Sequence, residues 1–481
     1  MSITPVWITG FEHGLATPSV SGGGLCTTVT GTPEIQGTTK RTGAFALKCA
    51  ITTVATAAIV KTITSGADII LRFYYYWDAD PEQIEEILRI SGTGTAIYMY
   101  YHSAAGLDKF RLSASGATTL YSANTYTAGS WYRIDIHLDG TNKTVDWQID
   151  GVAQTQMTAF TTAGEYTLIR FGTPDVATSG TYTQYYDDVV VSETIADYPI
   201  GASSAEGLRP DADGAHSFGA NEMEDIAGAD IGANNTAFAL LDDNPFGTSA
   251  NTDLICQNTA NASAYCEVTF PDTTYANING VMAVLQYCGQ NATADEGACY
   301  ILHANNVVAA TVWGNNATRS DYSETTPFYK SAILAAPANG WTGADVNGLK
   351  ARIGHSNDVV AVPYWLALIL EVDGNGTGAA ANNYTLECDG VALTGTGSAA
   401  DLLSKWLVDP ATGVHTTAGQ DPALLMAALV DPAKGVHATA GIDADLLGGF
   451  KVDPQKEDYV LTGVAPALIR RDYAVMLRWT R

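Results

Sequence analysis

Basic residues are scarce in this sequence. Its 481 residues hold 24 Lys and Arg against 51 Asp and Glu, giving a formal net charge of −27 and a pI near 4.4. Nucleic acid and anionic membrane surfaces both reward Lys and Arg, so a nucleic-acid partner is excluded as the main role. Long apolar runs are missing too. The longest candidate, residues 359–370, is interrupted by Pro363 and is shorter than the roughly 18 residues a membrane span needs. The opening MSITPVWITG lacks a basic stretch followed by an apolar one, so no secretory signal and no membrane insertion are expected, and the chain should be made soluble in a cytosol.

Signatures of metal and nucleophile chemistry are also wanting. Seven cysteines (Cys26, Cys49, Cys256, Cys266, Cys288, Cys299, Cys388) form no CxxC pair, which argues against zinc. Most should be small buried hydrophobes, although Cys26 with Cys49, and some of the four between 256 and 299, are near enough in sequence to oxidise. The eight histidines include no HExxH or HxH, and GxSxG and GxxxxGK[ST] do not occur. No cofactor is implied.

What the sequence does have is β pattern. Hydrophobic residues reach 46% and charged ones only 16%, a folded composition with enough length for two to four domains. Over residues 1–200, Gly, Thr and Ser clusters separate β-branched and aromatic runs, predicting strands at 68–77, 96–102, 109–113, 131–138, 144–149, 166–171 and 185–192. In 131–138, Trp131, Arg133, Asp135 and His137 alternate with Tyr132, Ile134, Ile136 and Leu138, the period of a strand with one wet face. The turn Asp139-Gly140-Thr141-Asn142 predicts a hairpin. Residues 81–90 admit a helical turn, with a strand preferred.

Five motifs stand in a telling order: Phe11-Glu12-His13-Gly14, then Arg41-Thr42-Gly43-Ala44-Phe45-Ala46-Leu47, Trp131-Tyr132-Arg133-Ile134, Asp146-Trp147-Gln148-Ile149-Asp150-Gly151, and Tyr186-Asp187-Asp188-Val189-Val190-Val191 with Tyr198-Pro199. The order resembles the concanavalin A-like (laminin G-like) jelly rolls common in tailed-phage virion proteins, over about 200 of the 481 residues. That resemblance implies a jelly-roll sandwich over 1–200. It also implies a possible structural calcium tying the first strand to the last, with Glu12, Asp187 and Asp188 as candidate ligands; calcium asks for six to eight oxygens, and strand-end acids capping turns are the alternative.

A linker follows by composition at 201–214, then a second β-rich block at 215–397 with strands at 263–270, 281–287, 299–303, 307–313, 328–334, 349–355, 361–373 and 384–388. It is similar to a domain that often follows the lectin-like one in phage structural proteins. Residues 398–463 hold a 22-residue repeat. Val408-Asp409-Pro410 returns as Val430-Asp431-Pro432 and Val452-Asp453-Pro454, and the GVH stretch at 413–419 returns at 435–441. Before each VDP lies a leucine pair (Leu402, Leu403; Leu424, Leu425; Leu446, Leu447), with Trp406, Ala428 and Phe450 four residues after the first Leu. Such units suit a short helix closed by Pro and an extended arm. They are too small to bury a core alone, so they stack on one another as a solenoid or dock on a partner. His415 and His437 share a repeat position and so should share a contact. The last eighteen residues, 464–481, carry Arg470, Arg471, Arg478 and Arg481 for a local charge of +3. This tail either docks on an acidic partner or is a solvated terminal strand.

The fold class expected is therefore all-β: two jelly-roll sandwiches, then three 22-residue repeats with short helices and extended arms. The function expected is a non-enzymatic structural component of a tailed-phage virion, at the tail fibre or tail tip, or on the capsid as a decoration or head-fibre protein. Its partners would be other virion proteins and copies of itself, held through the repeats and tail. The competing reading is a carbohydrate-binding adhesin that grips host surface glycan through tyrosines such as Tyr98, Tyr100, Tyr182 and Tyr185. A depolymerase is weakest. The nearest approach to the paired carboxylates of glycosidases on this kind of sandwich is Glu371-Val372-Asp373, which lacks the third acid.

Overall fold

The computed structural model describes residues 3–14, 26–52, 55–81, 83–103, 106–174, 181–219, 222–225, 230–231, 237–243, 246, 254–257, 264–289, 297–313, 328–355 and 363–377, and five short strands beyond. The protein is nearly all β, with a single α-helix, Gly343–Asn347, among the described residues. Thr342 and Asp345 cap that helix reciprocally, a Thr-x-x-Asp signature.

The first sandwich packs a nine-stranded sheet on a seven-stranded one, all antiparallel. Across the larger sheet run Val152–Ala153, Thr144–Ile149, Tyr132–Asp139, Asp68–Trp77, Tyr182–Ser192, Ala46–Ile51 and Glu34–Gln36. Pro5–Thr9 also pairs with Tyr182–Ser192, and Met157–Thr158 with Thr144–Ile149. The smaller sheet runs Leu120–Tyr121, Lys109–Ala114, Ile97–His102, Ile84–Gly92, Tyr166–Thr173, Ala57–Gly66 and Thr28–Gly31. Residues 84–92 are thus a strand and not a helical turn. The expected hairpin is present, with Asp139 paired to Thr144.

Alternation places Leu71, Phe73, Tyr75 and Trp77 on the inner face. There Phe73 meets Phe171 edge-on at 5.3 Å between ring centroids, Tyr75 meets Phe110 at 6.0 Å and Trp77 lies 4.3 Å from Tyr101. These aromatic pairs fill the space between the sheets.

The opposite face of the same strand is buried as well. Arg72 is fully buried and Tyr74 nearly so. Arg41 lies over the Tyr74 ring at 3.4 Å, and Arg72 is met by Asp373 of a second sandwich, of six and five strands. The six-stranded sheet runs Met223–Asp225, Ile255–Gln257, Pro363–Thr377, Tyr275–Gly289 and Phe328–Ile333, with Ser204–Leu208 added to Pro363–Thr377. The other runs Ala212–Asp213, Tyr265–Thr269, Lys350–His355, Gly297–Leu302 and Val308–Trp313. Met282, Val284, Tyr329, Ala367 and Ile369 of the second sandwich belong to the same buried cluster as Trp7, Ile8 and Phe171 of the first.

The two sandwiches therefore form one compact unit, residues 1–378. The segment 201–214, expected as a linker, supplies two strands to the second sandwich, Ser204–Leu208 and Ala212–Asp213. Asp135, expected on a wet face, is fully buried and accepts hydrogen bonds from Arg133 Nε (2.8 Å) and Gly201 N (3.0 Å). Cys26 is buried, and Cys49, Cys256, Cys266 and Cys299 are buried free thiols, so the Cys26–Cys49 disulfide is not formed.

The second unit, residues 379–481, is distinct. Tyr384–Cys388 lies here, hairpinned to Val391–Gly395, although the sequence reading carried the second sandwich to 397. His415–Ala418, His437–Ala440 and Val460–Thr462 form a parallel sheet in which His415 pairs with His437 and Ala438 with Val460, each pair 22 residues apart. The extended arms of the repeats thus stack in register.

Arg72 and Asp373 form a fully buried ion pair across the two sandwiches at 2.5 Å. Arg72→Met should cost about 3–5 kcal/mol in denaturant unfolding of the chain, because Asp373 is left charged and dry. Adding Asp373→Leu should recover most of that loss; a double variant as unstable as the single one would contradict this account.

Candidate functional site

Two places in the first unit concentrate chemistry. One is an acidic knot where the sandwiches meet. Phe11-Glu12-His13 follows the first strand, residues 41–45 form a loop, and Asp187-Asp188 sit at a bulge where the pairing of Tyr182–Ser192 with Asp68–Trp77 shifts register. Asp188 takes φ +50° there, a left-handed conformation that Asp tolerates better than most residues. The bulge lets two adjacent acids serve one loop. Asp187 Oδ2 accepts from Arg41 N (2.8 Å) and Thr42 N (3.3 Å), and Asp188 binds Arg41 Nη1 (2.5 Å), Thr42 Oγ1 (2.8 Å) and Ala205 N (2.5 Å). Glu12 accepts from Ala44 N at 2.8 Å. Gly43 has φ +58°, and a Cβ there would lie 2.0 Å from Glu12 Oε1, so glycine is what lets the loop close over that carboxylate.

From the second sandwich, Glu371 Oε1 accepts the Glu12 amide at 2.8 Å, and Asp373 binds Arg72, Ser203 Oγ (3.0 Å) and Asn279 Nδ2 (2.8 Å). Arg209 donates to the Glu12 carbonyl at 2.6 Å and to that of Asp243. Burial dominates the electrostatics. It pushes Glu12 up to about 8, aided by Glu371, and Glu371 up to about 7. Burial, with Asp188 next to it, raises Asp187 well above the usual carboxylate range. His13, enclosed nearby, is pushed down to about 4 by burial.

The knot corrects the calcium expectation. The structure does bring Glu12, Asp187 and Asp188 together, but their oxygens already receive backbone N–H groups, a hydroxyl and a guanidinium. A cation that needs six to eight oxygens finds a positive charge in its place. Among the described residues no group of three or more His, Cys, Asp or Glu is placed to hold a metal. Glu371 and Asp373 are fully buried structural acids, sealed from any polysaccharide.

The second place is the outer face of the seven-stranded sheet. Of the four tyrosines expected to touch glycan, Tyr182 is core, 1% exposed, and Tyr185 is 9% exposed with its ring edge-on to Tyr76 at 5.5 Å. Tyr98 and Tyr100 alternate outward on Ile97–His102 and remain partly exposed, their rings near parallel (14°) with centroids 5.9 Å apart. Register supplies neighbours that the sequence reading missed. Arg89 faces Tyr98, Arg111 faces Tyr100, and Arg170 faces Arg89. Each of the first two guanidinium carbons stands 5.1 Å from its tyrosine centroid, and Arg170 Nε donates to Glu86 at 3.0 Å.

The assembly candidates Leu402, Leu403, Trp406, Leu424, Leu425, Leu446, Leu447, Phe450, Arg470, Arg471, Arg478 and Arg481 lie outside the described residues. His415 and His437 fall within them as neighbouring partners of the parallel ladder.

No protein-family profile and no curated protein matches the chain. Among solved structures, a cellulose-induced protein, Cip1, is similar at 15% identity and TM-score 0.29, covering 35% of this chain and 88% of that one. Domain 4 of AbnA, an extracellular arabinanase from Geobacillus stearothermophilus, is similar at 14% identity and TM-score 0.28 over 40% and 96%. A sialidase aligns at 13% identity and TM-score 0.27 over 32% of this chain, which spans 16% of the sialidase's length.

Two outcomes follow from the knot. A carboxyl whose folded pKa lies above its unfolded value weakens the fold as it ionises, so Glu12 and Glu371 lower stability as pH rises from about 4.5 through about 8. His13, with its folded value depressed, acts oppositely between about 4 and 6.5, which leaves the carboxyl effect alone above that. The melting temperature should therefore fall between pH 6.5 and 8.5, and Glu12→Gln should flatten the fall; a wild-type profile that rises over this window would refute the assignment. Calcium or EDTA, in turn, should leave the melting temperature of the full chain unchanged, and a calcium-dependent rise would restore the metal reading.

Proposed function

We propose that this chain is a non-enzymatic structural component of a tailed-phage particle, a rigid β-body joined to a C-terminal repeat unit through which it assembles with sister copies or other virion proteins. The observation that carries this is the in-register parallel stacking of the 22-residue repeats, at His415–Ala418, His437–Ala440 and Val460–Thr462. A strand that stacks on its own repeat presents the same backbone edge to the next identical strand, so such an array suits repetitive assembly. The order of the five N-terminal motifs supports the particle setting, at a tail fibre or tail tip, or as a capsid decoration. The sealing of Glu371 and Asp373 supports the non-enzymatic part.

A second reading, a carbohydrate-binding adhesin, is compatible with the first and is favoured by the partly exposed Tyr98 and Tyr100. Aromatic side chains with a polar tip are common sugar contacts because they offer both an apolar face and a hydroxyl.

Mass in solution tests the structural reading. The full chain should be a trimer or larger, and a chain ended at residue 378 should be a folded monomer. Monomers in both cases would remove the repeats as self-assembly elements and overturn the proposal.

A further inference from the structure

We propose that the outer face of the seven-stranded sheet binds an acidic saccharide, a sugar bearing a single carboxylate, held by the guanidinium groups of Arg89 and Arg111. This rests on the adhesin reading and names its ligand class.

Three observations converge. First, the face is cationic on a chain of charge −27. Among the described residues of its strands it gathers three arginines against one outward carboxylate, Glu86, which Arg170 engages through both Nε and Nη2, so Arg89 and Arg111 carry the excess charge. Second, the arrangement works against the fold. Arg89 and Arg170 stand directly opposite each other on neighbouring strands, where like charges destabilise a sheet. The Nε atoms of Arg89 and Arg111 are buried with no hydrogen-bond partner, a cost the fold bears, so a ligand oxygen would be met by the outer Nη groups of each fork. Third, the forks are held in place. The Arg89 and Arg111 guanidinium carbons each lie 5.1 Å from the ring centroids of Tyr98 and Tyr100, and those rings lie near parallel. Two arginines so placed lose little freedom on binding, and planar forks match a carboxylate bidentately. The two tyrosines add hydroxyls that both donate and accept, which suits the hydroxyls of a sugar ring.

The size of the patch against the charge of the body selects the ligand further. A long polyanion would run off three arginines onto a strongly acidic surface, whereas a saccharide with one acidic unit places its charge on the patch alone. Neutral sugars can accept hydrogen bonds from the guanidinium groups but lack the charge-assisted, bidentate pairing of a carboxylate.

The test is calorimetric titration of the full-length protein with 3′-sialyllactose and with a glucuronate-terminated disaccharide, against lactose and against a heparin hexasaccharide. Both singly acidic sugars should bind, lactose should not, and heparin should bind no better than they do. Arg89→Gln and Arg111→Gln should each weaken acidic-sugar binding roughly tenfold or more without lowering the melting temperature. Raising NaCl from 50 to 500 mM should weaken it in the native protein, a readout that survives if either variant fails to fold. Equal binding of lactose and sialyllactose would overturn the acidic class while leaving the adhesin reading. Preference for heparin would overturn the single-acid ligand. No binding to any of the four would overturn both.

Discussion

Arg72 lies in a place without water, and the organisation of the first unit follows from what surrounds it. A guanidinium at zero exposure is tolerable only with a counter-charge in hydrogen-bond contact, and Asp373, equally buried, supplies it from a strand about 300 residues away in sequence. Ser203 and Asn279 satisfy the remaining Asp373 oxygen, so the pair has one well-bonded arrangement. Sliding the sandwiches past one another would strand these charges in an apolar joint. Burial of apolar side chains such as Ile8 and Ile369 drives the two bodies together without direction; the ion pair and the acidic knot beside it fix the register.

That joint decides which surface remains for recognition. Sheets in a sandwich usually keep one face for the core and one for solvent, but the nine-stranded sheet gives part of its outer face to the second sandwich. Independently of that joint, Tyr182 belongs to the first sandwich's own core and Tyr185 packs edge-on to Tyr76. The seven-stranded sheet keeps its outer face, and there Tyr98, Tyr100 and the arginines beside them stay partly exposed. The acidic knot and the cationic face are thus two uses of the same scarce residue type. Arg41, Arg72 and Arg209 are spent holding carboxylates and carbonyls inside, whereas Arg89 and Arg111 rest on tyrosines at the surface.

Much of the fold was legible because period-two alternation and turn chemistry are local. The strands at 68–77, 109–113 and 144–149, and the hairpin at Asp139, needed only neighbouring residues to be read. Alternation says which residues share a face, however, and not what covers that face. Hence Asp135 read as wet and lies buried beneath Gly201, and a polar segment at 201–214 read as linker and is strand. The site divides the same way. The resemblance groups Glu12, Asp187 and Asp188, and the donors that occupy them, from Arg41 to Ala44, make the cluster a clasp on one loop. Arg89, Arg111 and Arg170 went unnoticed because cross-strand register, which sets Arg89 beside both Tyr98 and Arg170, is a long-range property that single-strand patterns do not encode.

The repeats show the opposite case, where a long-range pairing can be read in advance. A constant spacing of 22 residues lets each copy lie on the last with identical residues level, which is what a parallel ladder needs to satisfy every backbone group in the same way. His415 beside His437 is the direct consequence, as is Ala438 beside Val460, where the third copy keeps the backbone register after its side-chain identity has drifted. Register therefore outlasts sequence in this unit, because pairing depends on backbone groups that substitution leaves intact. Among the described residues the ladder has three strands, and three short strands bury too little to stand alone. An array of this kind is stable when something continues or covers it, which is the physical basis of the assembly proposed above.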